Sequence, residues 1–234
     1  MQANDSYNVI AKLSEQIARI ETNSPDNHGK GVSSGYRQLD ALLPNGGFIP
    51  GTLIEWLEAD SGNGAFTLAL LVARELCRQG GVCAVVDQKN RFYPPAAVGW
   101  GLPQNQLVVV RPKNDSDEIW ALTQILRCRH VAAVLCYRNH YEPFAFRRLQ
   151  LAAETGQTVG CLIRSREMES LPSWANVRLL VSACIAEPNA REGTRDRCLK
   201  VRTLDSHMHH KAGIAEIKLS NAHTTVRNIR IAAP

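Results

Sequence analysis

The sequence predicts an α/β domain whose core is a doubly wound, mainly parallel sheet, extended near its C-terminal end by antiparallel strands. Between residues 52 and 164, short apolar runs alternate with segments of helical periodicity, a rhythm typical of βαβ units. After residue 165, strand-like runs follow one another with little helical sequence between them, which indicates hairpins. Because βαβ crossovers are right-handed, the repeats would place helices on both faces of one sheet.

The individual elements follow from apolar runs, turn residues and capping signals. Strands are predicted at residues 52–57, 82–87, 106–112, 131–137 and 158–164, and then at 177–185, 197–204, 214–220 and 225–231. Helices are predicted at residues 65–79, 94–101, 114–130 and 142–156. Asp115 and Glu118 have the spacing of a capping box at the start of the third of these helices.

Residues 1–30 are predicted to form an N-terminal helix and linker, outside a single core domain at residues 31–234. A helix over residues 5–22 would have one apolar face, made by four side chains at three- and four-residue steps: Ile10, Leu13, Ile17 and Ile20. The polar, glycine-containing stretch NSPDNHGKGVSSG follows as a linker. Two interpretations stay open, because the apolar face can pack on its own domain or dock on another subunit.

Composition and charge are those of an ordinary soluble globular protein. Hydrophobic residues make up 44% of the 234 residues, and the formal net charge of +5 permits contact with a polyanion without requiring it. The seven cysteines are an odd number without C-x-x-C spacing, which favours reduced thiols over a disulfide framework. The polar opening MQANDSYNVI and the lack of a long apolar run predict no signal peptide, no membrane contact and a cytoplasmic location.

The stretch IEWLEADSGNGAFTLALL, residues 54–71, has the layout of a phosphate-binding loop: an apolar strand, a turn of small residues and an apolar helix. Such a loop needs a lysine to neutralise phosphate and a hydroxyl to hold Mg²⁺. In none of the three registers allowed by Ser61, Gly62, Asn63 and Gly64 does the sequence supply either group. The loop is therefore predicted to be a degenerate nucleotide-binding loop. ATP is not expected as a cofactor, although weak nucleotide binding stays open.

Two further positions needed for ATP hydrolysis also lack the required side chains. The strand at residues 131–137 should end in an aspartate that coordinates Mg²⁺, but Cys136 stands there. A catalytic carboxylate is expected just after the second strand, where Asp87 is followed by Gln88 and Lys89. The sequence therefore predicts that the protein is not an enzyme. No metal site is predicted either, because the HMHHK stretch at residues 207–211 has no cysteine or acidic cluster at ligand spacing.

The segment at residues 35–87 resembles the ATPase core of the RecA family through its glycine-rich lead-in to the first strand. Over about residues 33–182 the chain resembles the ImuA family of RecA-like accessory proteins, in GTLIEWL, FTLALLVAREL, FYPPAAVGWGL, DEIWALTQILRCRHVAAVLCY, FRRLQLAAETG and PSWANVRLLV. This resemblance implies a role in the SOS response and mutagenic translesion synthesis. The resemblance implies two partners: an ImuB-like protein, which is an inactive homologue of Y-family polymerases, and an error-prone polymerase III alpha subunit. RecA or a second copy of the chain is a further candidate.

The same resemblance suggests where DNA and neighbouring subunits would bind. RecA carries two DNA-binding loops, and the matching segments here, residues 137–142 and 164–174, are short. They nevertheless place three arginines where phosphate contact is expected: Arg138, Arg164 and Arg166. RecA also uses an N-terminal helix to dock on its neighbour, which gives residues 5–22 a docking role.

Three functional hypotheses follow. The first is a non-catalytic RecA-like adaptor in DNA repair. The second is a RecA-like ATPase with a degenerate loop, whose cation comes from Lys89 or a neighbouring subunit. The third is a SulA-like inhibitor of cell division, which binding to the division tubulin FtsZ would test.

Overall fold

The computed structural model describes residues 31–60, 62–184, 197–204 and 213–219. In this part of the chain, the strands form one eight-stranded sheet with the order β3-β2-β4-β5-β1-β6-β7-β8. The strands are β1 (Leu53–Glu58), β2 (Val82–Val86), β3 (Leu107–Val110), β4 (Val131–Tyr137), β5 (Val159–Ser165), β6 (Val177–Cys184), β7 (Arg197–Leu204) and β8 (Ile214–Leu219).

The helices connect the strands much as the sequence predicts. They are α1 (Arg37–Asp40), α2 (Ala65–Cys77), α3 (Pro94–Gly99), α4 (Asp115–Leu126) and α5 (Pro143–Gly156). Short 3-10 turns occupy Pro44–Gly46, Gln104–Gln106 and Arg166–Ser170. Helix α4 ends four residues before the predicted end at residue 130, because the chain must turn at Arg127 to enter β4 at Val131.

Strand pairing confirms the predicted fold class. Strands β1 to β6 pair in parallel, whereas β6 with β7 and β7 with β8 pair antiparallel. Strand β1 lies inside the sheet between β5 and β6, so the turn that follows it opens at the carboxyl edge of the parallel strands. The predicted strand at residues 225–231 and the helix at 5–22, with Ile10, Leu13, Ile17 and Ile20, lie outside the described residues.

Both faces of the central strands are covered, which explains their continuous apolar sequences. All six residues of β1 are buried. On one face, Trp56 is fully buried and stacks on Phe48, with ring centroids 5.8 Å apart, in the cluster that includes α2. On the other face, α4 and α5 pack against the sheet through residues such as Leu122 and Leu149. These two layers fix the end of β1 as a rigid platform.

The start of α4 differs from the prediction. Asn114 caps the helix, since its side-chain oxygen accepts a hydrogen bond from the Asp117 amide at 2.9 Å. The expected capping box between Asp115 and Glu118 is therefore wrong. Glu118 is turned inward and 2% exposed, and it forms an ion pair of 2.5 Å with Arg138. Glu118 therefore forms an ion pair with Arg138, and it does not cap the helix as the local sequence pattern predicts.

The cysteines differ from the prediction as well. Antiparallel pairing of β6 with β7 sets Cys184 opposite Cys198, and their sulfurs form a disulfide. The expectation of reduced thiols is wrong for this pair, although Cys77, Cys83, Cys128, Cys136 and Cys161 are free. Spacing rules missed the bond because hairpin register, and not a local motif, brings the two residues together.

Candidate functional site

The turn between β1 and α2 keeps the backbone layout of a phosphate-binding loop. It lies at the carboxyl edge of the sheet, where open α/β folds bind ligands. Gly62 and Gly64 have φ angles of 76° and 100°, in the left-handed region that favours glycine. Helix α2 begins directly afterwards at Ala65. The small residues of this turn are therefore required by its path, whatever the turn binds.

Asn63 fills the inside of this turn. Its side-chain amide donates a hydrogen bond to the carbonyl oxygen of Val181 on β6, and its side-chain oxygen accepts one from the Ala65 amide at 3.2 Å. Asn63 is 7% exposed, so these contacts are shielded from water. Free amides at a helix start are the groups that bind phosphate in such loops. Here one of them is already bonded to the protein itself.

Leu199 of β7 covers the next position of the turn. A Cβ atom built on Gly64 would lie only 2.9 Å from Cδ2 of Leu199. A lysine at position 64 would therefore have to displace this leucine. Gly62 differs, because within the described residues no atom lies within 4 Å of a Cβ built there. Ser61, the fourth residue assigned to the degenerate loop, lies outside the described residues.

Cys136, where an acid for metal coordination was expected, is fully buried at the end of β4. Its thiol donates to Glu118 Oε1 at 3.8 Å, and burial together with the Glu118 charge raises the pKa of the thiol. The cysteine is therefore held as a neutral thiol. Sequence reasoning missed Glu118, which comes from α4 and pairs with Arg138.

The three arginines expected to contact phosphate have different surroundings. Arg164 is 6% exposed, and it forms an ion pair with Glu55 and donates to the Asn139 carbonyl oxygen. Arg138 is held by Glu118, by Asp115 at 3.1 Å and by the His140 carbonyl oxygen. Arg166 is exposed and has one ion pair, at 3.7 Å, with Glu169. Arg166 is the most exposed of the three and Arg138 is partly exposed, whereas burial argues against a phosphate contact by Arg164.

Glu55 is the centre of a buried ionic cluster on β1. It is 0% exposed and pairs with Arg164 of β5 and with Arg178 of β6, the latter at 2.9 Å. Ser173 also donates to it, at 2.6 Å. The cluster joins three neighbouring strands and the segment between β5 and β6. The positive charges of Arg164 and Arg178 are thus compensated by Glu55 inside the protein.

A cavity of about 400 Å³ lies beside the turn, between β2, α2 and α3. Its walls are largely aromatic and aliphatic: Phe66, Leu70, Val85, Phe92, Tyr93, Ala96 and Trp100. Polar side chains also line it, namely Glu58, Thr67, Asp87, Gln88, Lys89, Arg91 and Tyr137. Size, apolar walls and a few converging polar groups are the usual features of a ligand site.

Two buried acids and Tyr137 are among the polar groups of the cavity, and each is hydrogen-bonded within the protein. Tyr137 donates its hydroxyl hydrogen to Glu58 Oε2 at 2.7 Å. Burial, and then the bond to the Glu58 carboxylate, raise the pKa of Tyr137 to about 12, so its hydroxyl stays protonated. Asp87 accepts hydrogen bonds from the backbone amides of Arg91 and Phe92 at 2.9 and 3.0 Å. The buried charges of the cavity are therefore acidic, whereas a nucleotide site needs cations beside the phosphates.

Basic side chains approach the turn from two sides. Lys89 and Arg91 are exposed and line the 400 Å³ cavity. Arg197 of β7 is also exposed, and it lines a groove of about 600 Å³ shared with Gly62 and Gly64. Sequence reasoning missed Arg197, because only the sheet order brings β7 next to the turn.

The described ranges contain neither a metal-binding cluster nor a membrane-spanning helix. No group of three or more His, Cys, Asp or Glu side chains there could hold a metal ion. The histidines of residues 207–210 lie outside those ranges. None of the helices that the structure describes has the length and apolar character to span a membrane.

The sequence matches the RecA N-terminal domain family over residues 11–136, just over half of the chain. The chain belongs to the RecA N-terminal domain family. The parallel sheet and the glycine turn after β1 lie in or next to the matched region and accord with membership of this family.

Individual relatives come from both families that the sequence resembles. Protein RecA of Chlorobaculum parvum is 32% identical over 119 residues, which are 51% of this chain and 34% of that protein. Protein ImuA of Caulobacter vibrioides is 28% identical over 140 residues, which are 58% of this chain and 57% of that protein. Protein RecA of Deinococcus radiodurans is 30% identical over 104 residues. These matches confirm the resemblance to RecA and ImuA, and they span about a third to little more than half of each relative.

Proposed function

We propose that this chain is a RecA-like accessory protein of the DNA-damage response, which assembles partner proteins and does not hydrolyse ATP. The observation that carries the proposal is the closed turn after β1. Asn63 occupies its inside through the bond to Val181, and Leu199 packs against Gly64. A triphosphate would have to break the first contact and displace the second.

The charges around the turn support the same proposal. Glu58 is 8% exposed and lies at the end of β1, where it would face the phosphates. Like charges at short range in a poorly hydrated site repel strongly. By the resemblance to RecA, Cys136 and Lys89 stand where hydrolysis needs two carboxylates, although Asp87 lies two residues before Lys89. Three separate requirements for ATP turnover are thus unmet by the side chains present.

The partners we propose come from the similarity to protein ImuA. They are an ImuB-like inactive Y-family polymerase homologue and an error-prone polymerase III alpha subunit in translesion synthesis, with RecA or a second copy of the chain as further candidates. A RecA-like domain that no longer turns over nucleotide still offers the rigid sheet and helix surfaces on which proteins assemble.

Two measurements on the full chain test the proposal together. Hydrolysis of ATP should stay at the level of a protein-free control with and without single-stranded DNA, under conditions where a RecA protein is active. Co-expression with the ImuB-like partner should yield a complex that survives size-exclusion chromatography. DNA-stimulated hydrolysis would overturn the proposal, and so would the failure of every named partner to form a complex.

A second candidate, nucleotide binding without hydrolysis, is favoured by one specific observation. Lys89 and Arg197 approach the turn from opposite sides and are exposed. If they supply the missing cation, ATP should bind measurably by calorimetry, and Lys89→Ala with Arg197→Ala should abolish the heat. Arg111→Ala, an exposed arginine whose nearest acid is Asp87 at 3.9 Å, is the matched control.

A further inference from the structure

The 400 Å³ cavity beside the turn has the chemistry of a cation site. We propose that it binds the guanidinium group of an arginine side chain carried by a partner protein. The proposal rests on the proposed accessory function only in taking the occupant from a protein partner. The choice of a guanidinium comes from the cavity itself.

The first argument is the open acceptor on Glu58. The side chain is 8% exposed and lines the cavity, and its Oε2 accepts the Tyr137 hydroxyl. Within the described part of the chain, Oε1 accepts no hydrogen bond. This oxygen is open to the cavity, so a ligand inside the cavity can donate a hydrogen bond to it. A charged N–H group is the donor that compensates a carboxylate best.

The second argument is the aromatic wall. Phe66 and Phe92 lie with ring centroids 5.7 Å apart, and Tyr93 and Trp100 line the same cavity. A guanidinium is planar and weakly hydrated, so it stacks on aromatic faces while its edge donates hydrogen bonds. The compact, strongly hydrated ammonium of lysine suits such a wall less well. The wall therefore selects arginine among the cationic side chains.

The third argument is a contact already made at this edge. The guanidinium carbon of Arg91 lies 6.0 Å from the centroid of the Tyr137 ring, the same tyrosine that bonds Glu58. Arg91 and Lys89 are exposed at the rim, where water and salt screen their charge. Glu58 and Asp87 are each 8% exposed, so their charge is screened far less. Asp87 is partly compensated, because Arg111 lies 3.9 Å away and two backbone amides donate to it. The charge that favours a cation in the cavity is therefore that of Glu58.

The test compares two probes of equal shape, N-acetyl-arginine amide and N-acetyl-citrulline amide, which differ in charge. Titration of the isotope-labelled full chain by NMR should shift the signals of Phe66, Phe92 and the Trp100 indole with the arginine probe. Loss of a charge-assisted hydrogen bond should weaken the citrulline probe by about tenfold. Glu58→Gln should remove that difference, whereas Asp60→Asn, which removes an exposed charge from the same turn, should leave it intact.

Tyr137→Phe provides a second variant if Glu58→Gln fails to fold. It removes the internal donor and keeps the carboxylate, so the preference for arginine should persist or grow. Equal binding of the two probes would overturn the inference, as would an equal effect of Asp60→Asn, or stronger shifts of the same signals by ATP or inorganic phosphate. ATP hydrolysis and complex formation are read separately, so failure of the arginine site leaves the test of the accessory function untouched.

Discussion

The guanidinium of Arg164 on β5 is bonded to the carboxylate of Glu55 on β1, and Glu55 does not reach solvent at all. Arg178 on β6 bonds the other oxygen of the same carboxylate at 2.9 Å. One glutamate therefore holds two buried arginines across three strands. Pairs of this kind add little net stability, but removing one partner leaves charge without compensation.

Glu55→Ala should accordingly lower the free energy of unfolding by about 3–5 kcal/mol, because two buried guanidinium groups lose their counter-charge. Urea denaturation measures the loss. Glu169→Ala is the matched control, since Glu169 also pairs with two arginines but near the surface. Its loss should stay below about 1 kcal/mol. Equal losses for the two variants would mean that the buried cluster carries no special weight.

The two glycines of the turn separate backbone strain from packing. Both have positive φ, so an alanine at either position should cost about 1 kcal/mol. Gly64→Ala should cost about 1 kcal/mol more than Gly62→Ala, because its Cβ meets Leu199. Adding Leu199→Ala should narrow this difference in a double-mutant cycle. If the two alanine variants are equally stable, Leu199 does not pack on the turn as described.

Tyr137 should make the fold sensitive to alkali. Its pKa is about 12 in the folded protein, against 10.0 for an ordinary tyrosine, because of burial and the Glu58 carboxylate. As pH rises through this window, the unfolded chain releases the proton before the folded chain does, so stability is lost. Denaturation midpoints should fall less steeply with pH in Tyr137→Phe than in the parent protein. Tyr93→Phe, which removes an exposed tyrosine, is the control and should keep the slope of the parent protein. If Tyr137→Phe also keeps that slope, the raised pKa of Tyr137 is wrong.

The Cys184–Cys198 bond should stabilise the hairpin of β6 and β7. It closes a sequence separation of 14 residues, and a loop of that size gives about 3 kcal/mol in the chain-entropy model. Adding a reductant should therefore lower the denaturation midpoint of the parent protein and leave Cys198→Ser unchanged. Thiol alkylation followed by mass spectrometry shows directly whether the bond is present. If the reductant leaves the denaturation midpoint of the parent protein unchanged, the prediction is wrong.

Arg166 gives the sharpest test of a DNA contact. It is the exposed member of the three arginines, so Arg166→Ala should leave stability nearly unchanged. For binding to single-stranded DNA, the variant should reduce the slope of log affinity against log salt by about 0.7, equivalent to one lost phosphate contact. Fluorescence anisotropy at several salt concentrations measures the slope. An unchanged slope would place any DNA contact elsewhere.

Much of the fold could be predicted because parallel strands that are buried on both faces have continuous apolar sequences. The strands at residues 131–137 and 197–204 fall where the sequence places them. Helix ends were less accurate, since Asn114 and not Asp115 caps α4. The prediction of a degenerate nucleotide-binding loop could be made from the sequence, because a lysine and a hydroxyl are expected there at fixed motif spacing; it stays a prediction.

The contacts that close the turn could not be predicted from the sequence, because the residues that make them are far apart in the chain. Asn63 bonds a carbonyl 118 residues away, and Leu199 arrives on an antiparallel strand whose position depends on the order of the whole sheet. The disulfide has the same origin in hairpin register. Local patterns report which residues a turn lacks, whereas only the tertiary fold reports what replaces them.

The bond from Asn63 to Val181 and the packing of Leu199 on Gly64 have a consequence for regulation. A turn that becomes ordered only when a ligand binds has a free and a bound state, and the concentration of that ligand decides which state the protein adopts. Here the entropy cost of ordering is met once, during folding. If the turn binds no nucleotide, as we propose, a partner protein would meet the same surface at low and at high ATP concentration. The amount of that partner would then set when the complex assembles.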